Sequence, residues 1–155
     1  MAFATVFLAS DHGGFRLKQE LRAHLEKRHA RVVDLGPDRA DSCDYPHYAR
    51  AVCQRVLGDV TSMGILVCGT GLGMSMAANR MHGIRAAVCT CEYTARMTRE
   101  HNDANVLCLG ERVVGLGLAL SIVDAFLAAE FQGGRHLRRI GLLDAPLGAR
   151  ADTAL

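Results

Sequence analysis

The sequence predicts an α/β fold: a five-stranded parallel sheet covered by helices on both faces. Three observations carry this. Five short apolar runs alternate with segments of helical periodicity. The runs are continuously apolar and do not alternate with polar residues, as strands buried on both faces do. Most end in polar or glycine-rich residues directly before a helical segment.

Thr5–Ala9 is such a run, ended by Ser10-Asp11. Phe15, Leu17, Leu21 and Leu25 then stand among charges at mostly helical spacing. Arg31–Leu35 is the second strand, ended by Gly36-Pro37. The next helix starts at Pro46 with Asp44 as N-cap, its apolar face being Tyr48, Val52, Val56 and Leu57. Met63–Val67 is the third strand; it runs into Cys68-Gly69-Thr70-Gly71-Leu72-Gly73, and a short helix follows to about Met81. Ala86–Cys89 is the fourth strand, followed by a polar helix from Thr90 to about His101. Val106–Leu109 is the fifth, ended by Gly110. Gly115–Ala129 is a strongly apolar helix, expected to be covered on more than one side. Gly133-Gly134 breaks it before a terminal helix, Arg135–Leu143. One domain is expected over residues 1–144, with Ala145–Leu155 as a loose tail.

Composition narrows the function. Half of the 155 residues are hydrophobic and 22% are charged, enough for one core and too apolar for disorder. A formal net charge of +2, from 18 basic and 16 acidic side chains, argues against a nucleic-acid-binding arm. No apolar run approaches the roughly 18 residues of a membrane span. The apolar stretch Met1–Ala9 has no basic flank and reads as a strand, not a signal peptide. The six cysteines (Cys43, Cys53, Cys68, Cys89, Cys91 and Cys108) are therefore expected as reduced thiols in the cytoplasm. There is no Cys-x-x-Cys pair and no His, Asp or Glu group with metal spacing, so neither a metal nor another cofactor is expected.

Ligands of such sheets sit beyond the carboxyl ends of the strands. This points to Ser10-Asp11-His12, Cys68–Ser75, Cys89–Tyr93 and Gly110-Glu111-Arg112. Gly69, Gly71 and Gly73 let backbone approach a ligand closely, and the helix start after them offers amides to an anion; the plain alternative is a tight strand-to-helix turn. Cys68 stands at the mouth of that loop, where a thiolate is stabilised and can act as nucleophile or base; the alternative is a buried structural cysteine, the role that Cys53, Cys89 and Cys108 fit better. Asp11-His12 reads either as a carboxylate and imidazole facing the same crevice or as a helix cap beside a solvated histidine. His101-Asn102 reads as a proton carrier and its neighbour, or as a helix end before a turn. Arg135 and Arg139, four apart near His136 and Arg138, share a helix face and could grip a phosphate. His24, His29 and His82 read as surface residues.

Seven segments then occur in one order: Asp11-His12-Gly13-Gly14, Asp44-Tyr45-Pro46, Cys68-Gly69-Thr70-Gly71-x-Gly73, Ala77-Ala78-Asn79-Arg80, Gly83-Ile84-Arg85-Ala86, His101-Asn102-Asp103-Ala104-Asn105 and Gly133-Gly134-Arg135-His136. Together they resemble the type B ribose-5-phosphate isomerases of the RpiB/LacAB sugar-phosphate isomerase family, over roughly residues 5–144. The resemblance implies a Rossmann-like three-layer domain with strand order 2-1-3-5-4. It implies a homodimer, which can pair into tetramers, with sites at the subunit interface. The implied reaction is the metal-free interconversion of D-ribose 5-phosphate and D-ribulose 5-phosphate, a step of the pentose phosphate pathway, through a cis-enediolate.

Carried over by residue, the resemblance makes Cys68 the base between C1 and C2, and the Gly69–Gly73 amides with the Thr70 hydroxyl the stabilisers of the enediolate. His101, assisted by Asp11, would open the furanose. His12, Arg135 and Arg139 match the phosphate clamp, Asn102 and Tyr45 line the sugar, and Arg112 is a further contact. Met74 stands where one subtype carries a glutamate base, so Cys68 marks the cysteine subtype. The alternatives are a hexose 6-phosphate (allose or galactose) isomerase of the same family and a non-catalytic phosphosugar-binding protein.

Overall fold

The computed structural model describes residues 5–28 and 31–145. In chain order these form β1 (Thr5–Ser10), a 3₁₀ turn (His12–Gly14), α1 (Phe15–Glu26), β2 (Val32–Asp34), α2 (Tyr45–Gly58), β3 (Ser62–Cys68), α3 (Leu72–Ala78), β4 (Ala86–Val88), α4 (Glu92–Asn102), β5 (Val106–Gly110), α5 (Leu116–Ala128) and α6 (Arg135–Asp144). The five strands make one parallel sheet in the order β2-β1-β3-β5-β4. The tail expected after Ala145, and His29, lie outside the described residues.

The sheet is a Rossmann-like layer with a core on each face. On one face Val6, Leu8, Ile65, Leu107 and Leu109 pack against Leu17, Leu21 and Leu25 of α1, Ala95 of α4, and Ile122, Val123 and Phe126 of α5. On the other, Phe7, Leu66, Val106 and Cys108 meet Ala49, Val52 and Val56 of α2 and Met74 and Ala78 of α3. Each fully buried aliphatic side chain contributes about 1.5–3 kcal/mol. The helix after β1 therefore lies on one face and the helix after β3 on the other. Their loops diverge between neighbouring strands and open a crevice at the carboxyl end of the sheet.

Most strand and helix ends fall within a residue or two of expectation, and three differences have causes. Helix α3 stops at Ala78, not Met81, because Asn79 takes its chain out of the helix. Its side chain donates to the Ala86 carbonyl (2.9 Å) and accepts from the Ala86 amide (2.8 Å). Asp44 occupies the N-cap position of α2 with extended backbone, but its side chain makes no capping hydrogen bond; its carbonyl accepts from the His47 amide at 3.3 Å. Helix α5 is covered on one side only within the chain: Leu116 and Leu118 remain 45% and 37% exposed.

Two polar side chains of α1 are structural, one of them the His24 expected at the surface. Lys18 is fully buried beneath the loop after β2, where its ammonium donates to both Asp34 oxygens at 2.9 Å and to the Pro37 carbonyl at 2.6 Å. His24 does not stand free on the surface: its Nε2 lies 2.8 Å from Asp124 Oδ1, joining α1 to α5.

Candidate active site

At the carboxyl end of the sheet, backbone does most of the shaping. The Asp11 amide donates to the Val67 carbonyl (3.1 Å), which ties the end of β1 to β3. Asp11 Oδ1 accepts from the amides of Gly13 (2.8 Å) and Gly14 (3.1 Å), so this carboxylate caps the 3₁₀ turn and is held buried at the crevice. A side chain on Gly14 would place its Cβ 2.6 Å from the Val67 carbonyl; only glycine lets the turn lie against the end of β3. His12 is exposed, with Nδ1 3.3 Å from both the amide and the carbonyl of Cys43. Unprotonated Nδ1 accepts from the amide; protonated, it donates to the carbonyl.

Cys68 ends β3 opposite Gly110 of β5 and is buried. The loop after it turns back so that the Gly71 amide donates to Cys68 Sγ at 3.1 Å. That turn requires Gly71 at φ +81°, a left-handed conformation L side chains rarely adopt. The Thr70 side chain is exposed at the loop's crest, its Oγ1 3.4 Å from the Leu72 amide. Gly110 lets the loop cross β5, since a Cβ there would lie 2.6 Å from the Thr70 carbonyl carbon. The Tyr45 ring covers Gly73, with carbons 2.9–3.2 Å from where a Cβ would stand. The Arg112 guanidinium lies over Gly69, and the Arg112 amide donates to the Gly69 carbonyl at 3.1 Å. One chain thus brings together Asp11, His12, Tyr45, Cys68, Gly69, Thr70, Gly71, Gly73 and Arg112.

The other four expected residues are elsewhere. Helices of a parallel α/β layer run antiparallel to the strands, so the end of α4 lies at the amino end of the sheet. Eleven helical residues span about 16 Å. His101 and Asn102 are the last two residues of α4, and Arg135 and Arg139 share an exposed face of α6, which packs against α4. His101 therefore does not meet Asp11 within one chain, and the arginines do not meet His12.

This second cluster has its own architecture. The His101 ring stacks on that of His136 from α6, centroids 4.4 Å apart and planes 8° from parallel. Burial, His101, Arg135 and Arg139, in that order, hold the His136 pKa below the ordinary histidine value. Asp103 ends α4 in the left-handed region (φ +46°). Its carboxylate accepts from Arg85 at 3.0 Å and Arg99 at 2.7 Å, and Arg85 also reaches Asp144 of α6 at 3.0 Å. Asn102 borders a cavity of about 390 Å³ with Asn79, Arg85, Thr98 and Leu143.

Two contacts escaped the sequence reading. Glu111 accepts from the Leu17 amide at 2.9 Å and so caps α1 from 94 residues away, a pairing no local pattern announces. His136 was visible as part of Gly-Gly-Arg-His, but its partner was not. The cysteines divide as expected: burial pushes Cys53 up to about 12, Cys89 up to about 11 and Cys108 well above the usual thiol value, which keeps all three protonated. Among the described residues all six are free thiols, and no group of three or more His, Cys, Asp or Glu side chains could hold a metal ion.

The thiol and its glycine loop stand at the switch point of a Rossmann-like sheet, the place where such sheets take ligands, and the loop has no nucleotide fingerprint. The chain belongs to the ribose/galactose isomerase family, whose model matches residues 6–143. It is 52% identical over 135 residues to ribose-5-phosphate isomerase B of Escherichia coli, covering 87% of this chain and 91% of that protein. Ribose-5-phosphate isomerase B of Clostridium thermocellum superposes with a TM-score of 0.87 at 54% identity, over 90% of this chain and 95% of the other. The Mycoplasma genitalium enzyme, solved with bound ribulose 5-phosphate, gives a TM-score of 0.87 at 46% identity, over 90% of this chain and 93% of the other.

Proposed function

We propose that this protein interconverts D-ribose 5-phosphate and D-ribulose 5-phosphate. The observation that carries the reading is the Cys68 thiol at the crevice floor, its sulfur accepting the Gly71 amide at 3.1 Å beneath an exposed Thr70. The amide fixes the sulfur at the crevice, where a proton-transfer base must stand.

The chemistry follows in two stages. Ribose 5-phosphate is a furanose and must open first: the ring oxygen gains a proton and the anomeric hydroxyl loses one. His101 carries that exchange, with Asp11 supporting it. Cys68 thiolate then removes the C2 proton and returns one to C1, while the negative charge passes through O1 and O2 of a cis-enediolate. The loop amides from Gly69 to Gly73 and the Thr70 hydroxyl meet that charge. His12, Arg135 and Arg139 hold the phosphate, and Tyr45, Asn102 and Arg112 border the sugar.

The site is composite. The residues it needs lie at opposite ends of the sheet, with the roughly 16 Å length of α4 running between those ends, so a second copy brings its His101, Asn102, Arg135 and Arg139 to the Cys68 crevice. The half-exposed Leu116 and Leu118 of α5 provide apolar surface for such a homodimer. The reading is of one domain over residues 1–144, acting in the cytoplasm without a metal. Among the described residues no helix is long and apolar enough to cross a membrane.

The test is conversion of ribose 5-phosphate in the presence of EDTA, wild type beside Cys68→Ala. Turnover should fall about 10²–10⁴-fold in the variant with binding retained, the scale of a lost general base. A fully active variant would remove Cys68 from the mechanism. A wild type that binds but never turns over ribose 5-phosphate would favour a hexose 6-phosphate substrate or a binding protein.

A further inference from the structure

We infer that His136 is a positioning residue for ring opening: its imidazole, stacked against His101, fixes the plane in which His101 meets the sugar. The inference rests on the ring-opening role proposed for His101.

The geometry is specific. The two rings lie 4.4 Å apart and 8° from parallel, across the packing of α6 on α4. His136 is buried at 7% exposure, while Arg135 and Arg139, its neighbours on α6, are exposed. Within one chain neither imidazole hydrogen bonds to another described residue, so no carboxylate or carbonyl of its own chain orients the His101 ring. Stacking takes that place. It holds the ring plane without engaging either His101 nitrogen, which suits a group that must deliver a proton to one sugar oxygen and accept one from another.

Two stacked imidazolium rings would repel at this distance. The guanidinium groups of Arg135 and Arg139 on α6 weigh further against charge on His136. His136 is thus the neutral face against which His101 can change its own charge. The same short helix presents the two phosphate-clamp arginines outward and His136 inward, so the stack bears on His101 and not on the clamp.

The two halves of the reaction can be measured separately. A ketopentose 5-phosphate has no free O5 with which to close a five-membered ring, so ribulose 5-phosphate is acyclic. Loss of its C1 proton to solvent deuterium therefore needs Cys68 and the glycine loop but no ring opening. For His136→Ala, kcat on ribose 5-phosphate should fall about 10–100-fold, the scale of a misplaced catalytic group. The C1 exchange of ribulose 5-phosphate, followed by NMR, should stay within about threefold of wild type. His136→Phe keeps a flat ring without a titrating nitrogen and should recover ribose 5-phosphate turnover to within about threefold.

The inference is overturned if His136→Ala leaves the ratio of the two rates unchanged, whether both persist or both are lost. It is overturned equally if His136→Phe performs no better than the alanine variant. A wild type inactive in both assays would overturn the isomerase reading itself, and with it this role. Failure of the inference alone shows instead as a fully active wild type whose two rates respond together to His136 substitution.

Discussion

The two ends of the sheet are built differently. At the carboxyl end the parts are set by backbone: Cys68 Sγ by the Gly71 amide, Asp11 by two amides, the loop by a crossing that only Gly110 permits. At the amino end they are set by side chains. His101 is placed by a ring stack, and the end of α4 by the ion pairs of Arg85, Arg99, Asp103 and Asp144. A proton-transfer base acting on carbon needs fixed donors around a developing charge, and backbone amides cost no reorganisation when that charge appears. In the proposed dimeric site the acid and phosphate clamp come from the second copy and are presented on an outer surface, and long side chains reach further than a glycine loop.

This contrast is broken most directly by mixing two inactive proteins. Cys68→Ala lacks only the carboxyl-end base, and His101→Ala only the amino-end acid. If each site draws on both chains, a mixed dimer carries one site with both residues intact and one with neither. Random exchange at equal amounts makes half the dimers mixed, each with one of two sites active, so about a quarter of wild-type activity should return from almost none. Absence of recovery, with subunit exchange verified by mass, would mean that each chain uses its own Cys68 and His101.

The second way is sterically local. Gly110→Ala places a methyl 2.6–2.7 Å from the Thr70 backbone, and two crossing backbones cannot yield cheaply. Stability should fall by about 1–3 kcal/mol, and turnover should fall with it as the loop shifts. Gly58→Ala at the end of α2 meets nothing within 4 Å and removes a helix glycine, so it should be neutral or raise stability by up to about 1 kcal/mol. Urea midpoints of the two variants measure the difference. Equal midpoints would show that the loop accommodates a side chain and that the carboxyl end is not rigid.

The same contrast decides what could be read from the sequence. The strands were legible because each is a continuous apolar run, and the carboxyl-end site because strand ends and glycines are local features. Asp11 was correctly allowed to be a cap. The separation of His101 from Cys68 was implicit in the topology, since a helix ends at the opposite edge from the strand before it. The resemblance groups the two residues in a site at a subunit interface, without saying which chain supplies each. Lys18 carried a signal that was passed over: it stands three and seven residues before Leu21 and Leu25, on the apolar stripe of α1. Glu111 and the His101–His136 stack had no signal, because both depend on how distant helices dock.

The smallest effect tests the side-chain-built end through acid. The His136 pKa is lowered in the folded protein, chiefly by burial and then by His101, Arg135 and Arg139. In the unfolded chain it returns to about 6.5. Between those two values the unfolded chain binds more protons than the folded one, so stability rises with pH through that window and is fully present above it. Acidification from pH 7.5 to pH 5 should therefore lower the urea midpoint of wild type more than that of His136→Phe, whose ring cannot take up a proton. The described histidines other than His101 are common to both proteins and cancel in the difference. Parallel pH profiles would mean that His136 titrates alike in both states, and that the stack orients His101 without restraining charge on its partner.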